Sequence, residues 1–114
     1  MHIRRVETLH QYRLFPGGKE VVVTGDMGKP DQPLVTHLTA QEGAIRRAVP
    51  VLSGQTSLQV IEGEVLVSVK RQGDFSIPHH IVAGQVVSVD PCDECQLSFP
   101  ATSKLQIVHD PRGS

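Results

Sequence analysis

The sequence predicts an all-β domain, a single sandwich or jelly-roll β-barrel, on three observations. Short alternating or apolar runs bounded by Gly and Pro recur along the chain, and no window of about 11 residues carries an apolar stripe at helical spacing. Turn signals separate about ten such runs at intervals of about 8–12 residues, as in sandwiches and barrels. Hydrophobic residues make up 39%, but Trp is absent and only one Tyr and three Phe occur, so Val, Ile and Leu must build the core. A length of 114 residues is that of one domain, residues 1–114.

The elements follow in order. His10 to Phe15 reads as a strand, stopped by Pro16-Gly17-Gly18, whose glycines allow a tight reversal, and Lys19 to Thr24 is its hairpin partner. Gly25 to Pro33 is dense in Gly, Pro and Asp and reads as a mobile loop. Pro33 to Ala40 alternates Leu34, Thr36 and Leu38 against Val35, His37 and Thr39, so His37 shares a side with Val35. Ala44 to Val51 extends again, and Pro50 within it, lacking a ladder donor, marks an edge or a kink. Gln55 to Ile61 and Glu64 to Arg71 form the clearest pair, with Val65, Val67 and Val69 on one buried face. Phe75 to Val82, Gln85 to Asp90, Glu94 to Phe99 and Ser103 to His109 complete the set, and residues 111–114 read as a disordered tail.

Composition excludes several classes of function. Eleven basic and twelve acidic residues give a net charge of -1, so no field attracts a polyanion and nucleic acid is not expected as a partner. The doublets Arg4-Arg5 and Arg46-Arg47 are expected to be solvated or paired with nearby Glu. The first residues, MHIRRVETLHQYRLF, lack the apolar run of a signal peptide and no stretch is long and apolar enough to span a bilayer, so the expectation is a cytoplasmic protein without a membrane partner.

The text Leu58-Gln59-Val60-Ile61-Glu62-Gly63-Glu64-Val65 resembles the V-L-E-G-E-V hairpin of cupins, and Ala83-Gly84-Gln85-Val86-Val87 resembles their A-G-D-x-V. Gly43, Gly63 and Gly84 stand at the intervals of the two motifs of that family, which implies a cupin-like jelly-roll barrel. In the register that this resemblance implies, the first-motif ligand positions fall on Val49, Val51 and Thr56, and the second-motif His falls on Cys95. A divalent ion needs three or four N, O or S donors, which these residues do not supply. The resemblance therefore implies a degenerate member with no metal and no other cofactor.

If those four positions face the interior, Val49, Val51, Thr56 and Cys95 line either a packed core or a pocket for a small, largely apolar ligand. Such a domain would be a sensor or an accessory subunit. The alternative is a metal-independent isomerase, epimerase or lyase, for which His37 is the candidate general base. His79 and His80, as neighbours on a strand, point to opposite sides and are expected at the surface, and His2, His10 and His109 read as peripheral. Cys92-x-x-Cys95 is open to three readings: half a zinc site, a redox pair, or two small semi-buried side chains. Lys19 to Thr24 and Pro33 to Ala40 are apolar enough to pair as edges, which predicts a homodimer.

Overall fold

A computed structural model describes residues 11–26, 28, 31–51 and 54–111, without the side chains of residues 47–50. The expectations for Arg4-Arg5, His2, His10 and residues 112–114 fall outside the described residues, as do residues 27, 29 and 30 of the 25–33 loop. The strands are β1 Tyr12–Phe15, β2 Gly18–Thr24, β3 Leu34–Ala40, β4 Ile45–Val51, β5 Gln55–Glu62, β6 Glu64–Arg71, β7 Asp74–Phe75, β8 His79–Val82, β9 Val86–Val89, β10 Cys92–Ser98 and β11 Ser103–Asp110. A six-stranded sheet in the order β1-β2-β3-β11-β5-β9 packs against a sheet in the order β4-β10-β6-β7, with β8 also paired to β6. Every ladder is antiparallel.

The core lies between the sheets and is aliphatic, as the composition requires. Leu38, Leu58, Val60, Val65, Val67, Leu97 and Leu105 are buried, and Phe99, the largest buried side chain, stacks on Phe15 with ring centroids 6.4 Å apart. Alternation decides which side of each strand enters that core, as for Val65 and Val67 against Leu66 and Ser68 on β6. Gly43, Gly63 and Gly84 all have positive φ, at 86°, 82° and 89°, so the intervals noted in the sequence correspond to turns that favour glycine. At Gly63 a Cβ would also strike the Thr102 carbonyl oxygen, so that hairpin tolerates no side chain.

Several expectations change at this level. The stretch Phe75 to Val82 divides into β7 and β8, because Pro78 has no ladder donor and Ser76 makes its own bonds to Val69. Its N–H donates to the Val69 carbonyl at 2.7 Å, and its Oγ accepts the Val69 N–H at 3.1 Å. Strands β2 and β3 are internal to the six-stranded sheet, so neither offers the free edge invoked for a homodimer. The edges of that sheet are β1 and β9. Strand β4 is an edge of the other sheet, as Pro50 suggests.

No ladder joins β4 to the six-stranded sheet among the described residues. Instead, side chains bridge the two sheets there. Arg46 on β4 approaches Glu20 on β2 with Nη2 2.8 Å from Oε1, and Thr36 Oγ1 donates to Glu20 Oε2 at 2.7 Å. Arg46 is only 7% exposed and Glu20 3%, so Arg46 is not solvated but is the partner of a Glu on another strand. Arg46 Nε and Glu20 Oε1 make no well-aligned hydrogen bond, and the contact is held by charge more than by alignment. Burial pulls the guanidinium below its ordinary value, and the Glu20 carboxylate opposes that shift.

Candidate functional site

Two bulges determine what faces the interior at one end of the barrel. Leu97 pairs with Arg46 and Cys95 with Val49, so two steps on β10 match three on β4. Cys92 then pairs with Val51, so three steps on β10 match two on β4. Each extra residue reverses the side to which the following residues point. Arg46 and Val51, five apart, are therefore both buried, and so are Cys92 and Cys95, three apart.

The facing sheet supplies the other wall. The registers align Leu34, His109, Thr56 and Val89 across β3, β11, β5 and β9, one row beyond the core row of Thr36, Ile107, Leu58 and Val87. Thr56 Oγ1 and His109 Nδ1 lie 2.9 Å apart in a half-buried hydrogen bond. The segment connecting β9 to β10 is held over this end by Arg71, whose Nε donates to the Pro91 carbonyl at 3.3 Å and Nη2 to that of Asp90 at 3.4 Å.

Of the four residues expected to line an interior, Val51 and Cys95 are buried and Thr56 is half-buried on the inner row. The Val49 backbone pairs with Cys95, and its side chain lies outside the described residues. His37 does not join them. It is exposed on the outer side of β3, because Thr36, Leu38 and Ala40 take the inner side. The Thr36 hydroxyl can be buried there because Glu20 accepts its proton, which the alternation alone did not reveal. The general-base role assigned to His37 as an interior residue is corrected accordingly. His79 and His80 are both exposed, with His80 Nε2 3.0 Å from Glu64 Oε2. His109, read as peripheral, is the imidazole that reaches this end of the barrel, and the only signal for it was its spacing of two from Ile107.

The donor chemistry does not fit the metal that this fold commonly hosts. Val51 offers no donor, Thr56 is engaged by His109, and among the described residues no group of three or more His, Cys, Asp or Glu could hold an ion. The redox reading also weakens. Burial pushes the Cys95 thiol up to about 11, and the neighbouring Cys92 adds to this, so little nucleophilic thiolate forms near neutrality.

No protein-family model matches the sequence, and no curated protein matches it either. Solved structures do match in fold. A cupin superfamily protein from Desulfitobacterium hafniense superimposes with a TM-score of 0.66 at 11% identity, covering 85% of this chain and 80% of that one. The cupin domain of Drosophila melanogaster CENP-C gives 0.67 at 12% identity, covering 89% and 75%. An oxalate decarboxylase from Bacillus subtilis gives 0.70 at 16% identity, covering 91% of this chain but 28% of the enzyme. The chain has the cupin fold, as a single small all-β barrel. No helix among the described residues is long and apolar enough to cross a membrane.

Proposed function

We propose that this domain binds a small, largely apolar molecule, without a metal, at the barrel end between Val51, Thr56, Cys95 and His109, as a sensor or accessory module. The carrying observation is that Val51 and Cys95 on one sheet and Val89 on the other are buried, while Thr56 and His109 form a half-buried polar pair on the inner row of Val89. Pockets for small ligands combine apolar walls with a few placed polar groups in this way. A thermal-shift screen against a metabolite library, followed by calorimetry, tests the reading. A hit whose binding is lost in Val51→Phe and weakened in His109→Gln supports it, and a hit indifferent to both substitutions overturns it.

A second reading, metal-independent isomerisation, epimerisation or elimination, is favoured by the same imidazole. With Nδ1 engaged by Thr56, His109 would present Nε2 for proton transfer. Turnover that survives His109→Gln would exclude this reading. A homodimer is part of the proposal as well, supported by Tyr12 and Leu14, which leave edge strand β1 with 61% and 67% of their surfaces exposed. Light scattering that finds only monomer in Tyr12→Ser/Leu14→Ser and dimer in the parent would support it, and a monomeric parent would reject it. The two free cysteines are consistent with a reducing compartment such as the cytoplasm.

A further inference from the structure

We propose that Cys92 and Cys95 form a two-coordinate site for a soft monovalent cation, Cu(I) or Ag(I), in the wall of the barrel. In a regular strand, residues three apart point to opposite sides. The β10 bulge removes that obstacle, and both thiols are buried on the inner face. Their spacing follows from the ladder: their partners Val51 and Val49 are two residues apart, which puts the two cysteine Cα atoms about 7 Å apart along the same side.

That spacing discriminates between products. A disulfide needs sulfurs about 2 Å apart and Cα atoms within about 6.8 Å, with converging Cβ vectors, so side-by-side thiols at this distance fall at or beyond the limit. A metal bridge spans two metal–sulfur bonds instead of one sulfur–sulfur bond and so suits the wider gap, and thiolates select soft ions such as Cu(I). A tetrahedral zinc site would require two further donors, and no group of even three is present among the described residues. Binding replaces two S–H bonds with two metal–sulfur bonds and releases two protons to solvent, which leaves the bis-thiolate complex with one negative charge. Burial and Cys92 oppose deprotonation of Cys95, and the positive neighbours Arg46 and Arg71 offset part of that cost.

The cation site shares Cys95 with the proposed ligand site but does not depend on a ligand binding there. The test is titration of the reduced full chain with Cu(I) against a chromogenic Cu(I) chelator, followed by thiolate-to-metal absorption in the ultraviolet. One ion per chain is expected, with loss of both signals in Cys92→Ala and in Cys95→Ala, and no loss in His37→Gln, on the outer side of β3. Circular dichroism confirms that each variant is folded, and should the Ala variants unfold, Cys92→Ser and Cys95→Ser take their place. Retention of the ion by either single variant, or failure of the parent to compete with the chelator, overturns the proposal. A mild oxidant should leave two titratable thiols per chain, and rapid disulfide formation would overturn the spacing on which the site rests.

Discussion

The seam of Glu20, Thr36 and Arg46 and the barrel end of Val51, Cys92, Cys95, Thr56 and His109 are both built on β4 and its neighbours, and they use polarity in opposite ways. The seam buries a full ion pair where no backbone ladder closes the two sheets. The barrel end holds instead the buried Val51, Cys92 and Cys95 and a half-buried Thr56–His109 hydrogen bond. Charge here serves closure of the barrel. A buried pair of this kind stabilises little by itself, but losing one partner strands the other in a low dielectric.

Substitutions can break that contrast, beginning with the seam. Arg46→Met should cost about 3–5 kcal/mol in urea unfolding, because Glu20 is left buried without a counter-charge. Glu20→Leu together with Arg46→Met should cost clearly less than Arg46→Met alone. If the double variant is the worse of the two, the seam carries more than charge compensation.

The barrel end should respond to pH. With its folded thiol raised from an ordinary 9.0 to about 11, Cys95 contributes stability that is complete below about 9 and is lost as pH rises through about 11. The parent should therefore lose on the order of 2 kcal/mol across that window relative to Cys95→Val, which cannot titrate there. Parallel pH profiles for the two proteins would contradict this. Thr36→Val removes one hydrogen bond to a buried carboxylate and should cost about 1.5 kcal/mol, measured by the same urea titration. Thr56→Val, at the half-buried His109, should cost about 0.5–1 kcal/mol, the smallest effect of the series.

The frame of the fold was legible because turns and alternation are local. Gly43, Gly63 and Gly84 announce their turns, and Val65 and Val67 announce their face. The sites were harder to read because their determinants are long-range. Glu20 and Arg46 are 26 positions apart and meet only once the sheets pack, so the sequence could not say whether Arg46 is solvated or which Glu it pairs with. The side taken by His37 could not be settled from β3 alone, since both of its faces carry apolar residues and the deciding partner of Thr36 lies on β2. Val51 and Cys95 are both buried, whereas strict alternation from Arg46 would have put Val51 outside.

The bulges on β4 and β10 give these strands a change of parity. On β4 the described buried positions are even at 46 and odd at 51, and on β10 they are even at 92 and odd at 95 and 97. A saturation scan should therefore show its intolerant positions switching from even to odd along each strand. Deleting a single residue between Arg46 and Val51 would restore one parity throughout β4, and the two residues, then four apart, would share a side without a bulge.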